Sequence, residues 1–269
     1  VHLVVAMAMN TLNLVLNFGL IYGMFGLPRM GVPGSGLASC ISSYCGMFII
    51  IGWSLRANYR RFHFYRPGKL AWSVVKELGR LSAPSAAAVI VSLSGFFVFF
   101  KVVAKLDEVA NVGQPIMSAA TANLVSILQL VFISCIAFGQ AVATLVGQSM
   151  GAKKTDMAER YAYEAAKIGS LVFAVFGVLV SLFPNTVLHG WSKDQVVIDT
   201  AAPILRVLAL FAPLMCVALV FTYALYGAGN SRFVMYVELT LHLMCLIPVS
   251  YLLAITFGFG MWGAWSAMI

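Results

Sequence analysis

Residues 11–38 recur at 240–267, an ungapped match at an offset of 229 positions. Thr11, Leu12 and Leu14 fall on Thr240, Leu241 and Leu243, and Tyr22 falls on Tyr251. Gly31, Gly34 and Ala38 then fall on Gly260, Gly263 and Ala267. Each copy reads as two apolar helices joined by a glycine-rich turn. Four further long apolar segments separate the copies, so the repeating unit is six helices. An even number brings both copies into a membrane with the same orientation, the plan of a parallel repeat. On this count the first copy holds helices five and six of a half whose first four precede Val1, and the chain is expected to be a fragment.

Composition places such helices in lipid. Of the residues, 61% are hydrophobic and 10% charged, and mean hydropathy is +0.94. A chain of 269 residues with that balance exceeds what one water-soluble core can hide. The net charge of +8 lies in short loops between spans and forms no continuous basic face, which excludes a nucleic-acid partner. The five cysteines (Cys40, Cys45, Cys135, Cys216 and Cys245) all fall inside apolar segments, without a CxxC pair. They read as small buried apolar residues, not as disulfides or metal ligands.

The apolar runs cover about 3–25, 34–54, 81–106, 115–149, 161–184, 200–226 and 233–257, with a last one opening near 261. Each approaches or exceeds the ~20 residues that cross a bilayer. Twelve of the 17 Lys and Arg lie in alternate loops: seven in 56–80, then Lys153, Lys154, Arg160 and Lys167, then Arg232. The positive-inside rule puts those loops in the cytoplasm of a multi-pass protein of the cell (inner) membrane. The basic, aromatic stretch 56–80 reads either as a linker between halves or as a headgroup anchor on membrane lipid. Residues 1–55 then end one half, and 81–269 form most of the other.

Several segments resemble multidrug and toxic compound extrusion (MATE) transporters. Asn13-Leu-Val-Leu-Asn17, Ile21-Tyr-Gly-Met-Phe-Gly26 and Gly34-Ser-Gly-Leu-Ala38 are similar to that family's fifth and sixth helices. Gly139-Gln140 and Val146-Gly-Gln-Ser-Met-Gly-Ala152 resemble the eighth helix and its exit. Ala202-Pro-Ile-Leu-Arg206 and Leu225-Tyr-Gly-Ala-Gly229 resemble the start and end of the tenth. The resemblance implies an all-α, polytopic, two-lobe bundle of twelve helices, of which this chain holds five to eleven and the start of twelve. It also implies a monomer that exports small organic cations by alternating access. No cofactor is implied; the coupling ion would be H⁺ or Na⁺. Family members of the NorM type carry acids in helices seven and ten, at positions that map to Ser92 and Met215 here. Neither is acidic, so coupling must rest elsewhere, in this chain or in the missing first helix.

The residues themselves offer candidates. Glu238 is a carboxylate clearly within a span, about 9 Å of helix beyond Arg232, and His242 follows four residues on, where one proton could be shared. The pair reads as a coupling or substrate-sensing site, or as an interfacial acid with a histidine bonded to a neighbouring helix. Asn13 and Asn17 share a face that lines a hydrated cavity or bonds across helices. Gln129, Gln140, Thr144 and Gln148 form one polar stripe facing a helix interface or a cleft. Lys101 and Lys105 are expected to snorkel and to pair locally with Asp107 and Glu108. Arg206 is expected to pair with Asp199 or to brace an outer gate. Pro84, Pro203, Pro213 and Pro248 are expected to kink their helices.

Other classes fit less well. A membrane-embedded enzyme lacks any H-E-x-x-H, G-x-S-x-G or paired intramembrane carboxylates here. A flippase for lipid-linked cargo is the nearer rival, but its cationic cavity would have only Arg206 and Lys101 to draw on. A pore sits poorly with an asymmetric six-helix repeat.

Overall fold

A computed structural model describes residues 2–56, 71–110 and 115–268, and the chain divides after Leu70 into two compact units. The first unit is a helix pair: α1 (His2–Tyr22) and α2 (Val32–Ser54), joined through a 3₁₀ turn at Met24–Gly26. The second contains α3 (Trp72–Ala110), α4 (Ile116–Gly151), α5 (Thr155–Leu182), the short α6 (Pro184–Leu188) and α7 (Gln195–Gly227). It ends with α8 (Ser231–Thr256) and α9 (Gly260–Ser266). Among the described residues, seven helices are long and apolar enough to cross a membrane. In hydrocarbon every backbone amide must be satisfied within its own element, and an α-helix does so.

The second half of the expected linker is helical, since α3 begins at Trp72. Residues 57–70, with Tyr59, Phe62, Phe64 and Tyr65 of the proposed headgroup anchor, lie outside the described residues.

The internal repeat is visible in the backbone. Gly31, just before α2, and Gly260, the first residue of α9, are equivalent in the two copies and have left-handed φ of 63° and 58°, a conformation that glycine adopts without strain. Three residues on, Gly34 and Gly263 press against the preceding helix: a Cβ would lie 2.6 Å from the Leu20 carbonyl oxygen at one and 2.5 Å from that of Leu253 at the other. Each copy thus closes its helix pair backbone to backbone.

Side-chain size is distributed as lipid demands. Along α5 the buried positions are Ala158, Ala162, Ala166, Gly169, Phe173 and Gly177, while Leu171 and Phe176 are 68% and 60% exposed. Lipid tails are as apolar as leucine, so large residues gain nothing by turning inward and small ones let helices touch. Two apolar clusters result. One joins α4, α5 and α7 around Cys135, Ala166, Cys216 and Val220. The other gathers α3, α4, α7, α8 and α9 around Phe99, Leu124, Leu205 and Trp265. Trp265 is fully buried, meets Phe99 edge-on at 5.3 Å and donates from Nε1 to Thr121 Oγ1 at 3.4 Å.

Several expectations change with the fold. Pro84, Pro203 and Pro213 sit inside helices that continue through them. The irregular helix is α8, which alternates α (Ser231–Leu239), π (Thr240–Leu246), α (Ile247–Tyr251) and π (Leu252–Thr256), with Pro248 between the π turns. Cys135 and Cys216 are buried, but Cys40 and Cys245 are exposed.

Candidate functional site: an intramembrane Ser–His–Glu cluster

Helices α3 and α8 start from one pinned point. Ser231, at the first turn of α8, is buried and donates its hydroxyl to the Leu81 carbonyl of α3 at 3.1 Å. The two helices run side by side from there, and eleven residues along each lie Ser92 and His242. At the ~1.5 Å rise of a helical residue both have climbed about 16 Å, and they meet: Ser92 Oγ lies 3.1 Å from His242 Nε2.

The other face of the imidazole is occupied as well. His242 Nδ1 lies 3.0 Å from the backbone carbonyl oxygen of Glu238 and 3.1 Å from Glu238 Oε2. The two side chains are 13% and 26% exposed, so the pair is largely withdrawn from its surroundings. His242 stands in the first π turn of α8, and such turns occur frequently at functional sites. Gly95 makes room for the ring, since a Cβ there would lie 2.7 Å from His242 Cδ2. Phe96 flanks it at 6.1 Å between ring centroids.

Further polar groups connect to this cluster from α7 and α4. Tyr226 lies near Glu238 and near Ser85 of α3. Tyr223, one turn before it, packs edge-on against Tyr226 at 5.9 Å and lies near Gln140 of α4. Of the polar stripe Gln129, Gln140, Thr144 and Gln148, Gln140 comes near Tyr223, and the exposed Thr144 donates back onto the Gln140 carbonyl. Met215 is packed on the apolar cluster of α4, α5 and α7.

In the first unit, Asn17 Nδ2 donates to Asn13 Oδ1 at 3.0 Å, and Asn13 Nδ2 donates to Ser39 Oγ of α2 at 3.3 Å. Asn17 Oδ1 is buried and has no hydrogen-bond partner among the described residues, which leaves an acceptor open.

Two expected ion pairs are not formed among the described residues. Asp199 accepts from Gln195 Nε2 at 2.9 Å and not from Arg206, which is exposed two turns along α7. Lys101 lies over the Phe97 ring and Lys105 over Tyr251, at 4.9 and 5.5 Å. Asp107 instead caps the next helix: Oδ1 accepts from Met117 N at 2.8 Å, and Oδ2 from Ser118 N and Oγ at 2.8 and 2.6 Å. The helix N-terminus, with its unsatisfied amides and positive dipole end, outcompetes a solvated ammonium for the carboxylate.

Gly95, Ser85, Tyr223 and Tyr226 are site residues that the sequence did not single out. Gly95 alone carried a signal, as a glycine inside an apolar span, in the run Ser94-Gly95-Phe96-Phe97.

The MatE family model matches residues 84–252, from Pro84 to the second π turn of α8. The chain belongs to the MatE family. It is therefore related to multi-pass membrane transporters and not to enzymes. It is 27% identical to the probable multidrug resistance protein NorM of Neisseria meningitidis serogroup A, over 99% of this chain and 57% of that protein. It is also 27% identical to the multidrug resistance protein MdtK of Yersinia pseudotuberculosis, over 91% of this chain and 52% of that one. The crystal structure of the eukaryotic MATE transporter AtDTX14 superposes with a TM-score of 0.85 at 19% identity, covering 98% of this chain and 57% of that one. An outward-facing MATE family transporter of the MOP superfamily gives 0.83 at 18%. The MatE chain thus has the MATE fold and spans a little over half the length of these relatives.

Proposed function

We propose that the full-length protein is a secondary active transporter that exports organic cations or drugs in exchange for an inward-moving cation, by alternating access. This chain would supply helices five to eleven and the opening of helix twelve. The observation that carries the reading is the cluster Ser92–His242–Glu238. An ionisable pair set inside an apolar bundle is costly to maintain, and such residues mark ion or proton paths. The positions where NorM-type members carry acids hold Ser92 and Met215 here, yet Ser92 is hydrogen-bonded to the His242–Glu238 pair from a neighbouring helix. On this reading the carboxylate function moves from helices seven and ten onto helix eleven, with His242 between Glu238 and Ser92.

The test is ethidium export from proteoliposomes containing the full-length protein, under an imposed proton gradient or an imposed sodium gradient. Export driven by either supports an antiporter. In Glu238→Gln, which keeps shape and removes charge, we expect gradient-driven export to fall at least about ten-fold while the protein elutes as a single species. A tenfold loss corresponds to about 1.4 kcal/mol, a modest demand on a charge that sits against His242. Export under neither gradient would overturn the reading and turn attention to lipid-linked cargo on the same fold.

A further inference from the structure

The geometry points to the proton as the coupling ion, taken up on Nε2 of His242, with Ser92 as its relay and the Glu238 carboxyl group beside Nδ1. This rests on the antiport reading above and adds the ion and its atom.

The hydrogen bonds assign the protonation sites. Nδ1 of His242 faces the Glu238 backbone carbonyl oxygen at 3.0 Å, and a carbonyl oxygen only accepts. Nδ1 therefore carries a hydrogen in either charge state. The proton that comes and goes is the one on Nε2. There the partner is the Ser92 hydroxyl at 3.1 Å, which can donate to a neutral ring or accept from a charged one by rotating about its C–O bond. Uptake transfers one proton from a hydrated donor through Ser92 Oγ to Nε2, and release reverses it. In that step Ser92 gives its hydroxyl hydrogen to Nε2 as Oγ takes the donor's proton, so one O–H bond breaks as another forms, the donor loses one hydrogen and the ring gains one N–H, and no heavy atom need move.

The charge that results is already balanced. Glu238 Oε2 stands 3.1 Å from Nδ1, so the protonated ring faces a carboxylate and the neutral ring leaves that carboxylate hydrogen-bonded. Two other elements face this pair. α3 presents Ser92, Gly95 and Phe96, none of them ionisable at ordinary pH. α7 presents Tyr226, which faces Glu238. Among these residues the one basic group is His242.

The same geometry counts against sodium at this place. A hard cation wants several oxygen ligands arranged around it. Here the space between the carboxylate and the serine hydroxyl is filled by the imidazole ring itself, one nitrogen toward each. The cluster is built around a ring that binds a proton, not around a gap that binds a metal.

The experiment uses full-length protein in proteoliposomes with choline in place of sodium. Ethidium efflux and internal pH are followed together, the latter by an entrapped pH-sensitive dye. We expect efflux with matching proton entry in the wild type. We expect His242→Gln to lose at least ten-fold in proton-driven efflux while still binding ethidium, measured by fluorescence polarisation. Gly95→Ala removes no titratable group but pushes on the ring, so it should weaken coupling in the same direction. Ser92→Ala removes the relay hydroxyl and should shift the pH midpoint of efflux.

Full proton-driven efflux in a folded His242→Gln would overturn the inference. Export that requires sodium and ignores pH would overturn it too, while leaving the antiport reading intact. Export under no gradient would end both. Should His242→Gln fail to elute as one species, Gly95→Ala and Ser92→Ala decide the question: unchanged efflux and pH midpoint in both would overturn the proton assignment.

Discussion

Gly177→Val should be among the most destabilising single substitutions in the second unit. Gly177 lies on the buried stripe of α5, and a Cβ there would fall onto the Ala209 carbonyl oxygen of α7. The obstruction is backbone, so no side chain can rotate away, and α5 must separate from α7 along the cluster of Ala166, Cys216 and Val220. Overpacking usually costs about 1–3 kcal/mol and more where nothing can yield, so about 3 kcal/mol or more is expected. In the full-length protein in detergent that lowers the melting temperature by roughly 3–5 °C. Gly79→Ala supplies the contrast. It also sits in a helix, α3, but nothing lies within 4 Å of an added Cβ. Alanine is favoured over glycine in a helix by about 1 kcal/mol, so this variant should melt no lower than the wild type. Equal melting of Gly177→Val and wild type would mean that α5 and α7 are not packed as described.

The spans and their order were legible because lipid imposes a long, simple signal: about 20 apolar residues between polar loops. The repeat was legible for a related reason, since the same glycines solve the same turn twice. The Glu238–His242 pair could be read from i,i+4 spacing alone. Its partner Ser92 could not be read in that way. Ser92 and His242 are 150 positions apart, and they meet because the Ser231–Leu81 bond sets the register of two parallel helices. Helical periodicity says which face a residue shares with its own neighbours and nothing about what lies across the interface. The π turns of α8 were hidden for another reason: Pro248 announces a disturbance, but the disturbance extends on both sides of it. Arg206 and Asp107 show the limit of reasoning from opposite charges. Nearness in sequence proposed ion pairs, whereas exposed pairs gain little, and the local amides of a helix end or a glutamine take the carboxylate.

Asp107 gives the second large effect. Its carboxylate accepts three hydrogen bonds from the first turn of α4, from Met117 N, Ser118 N and Ser118 Oγ, and so ties the end of α3 to the start of the next span. Bonds to a charged acceptor are worth about 1.5–3 kcal/mol each, though they do not add, and the helix dipole favours the negative charge there. Asp107→Ala should therefore cost about 3 kcal/mol and leave the Met117 and Ser118 amides to exchange faster with solvent. Asp107→Asn is the sharper test. Its oxygen can replace Oδ1 at Met117, but its NH₂ then faces the Ser118 N–H, donor against donor. Turning the amide moves the conflict to Met117. Asparagine should thus recover less than half of the loss despite matching the aspartate in shape. Ser118→Ala, which removes only the hydroxyl bond, should cost about 1 kcal/mol. Melting temperature and amide exchange on the full-length protein separate these cases. An Asp107→Asn variant as stable as the wild type would show that shape, and not a doubly accepting carboxylate, holds the two spans together.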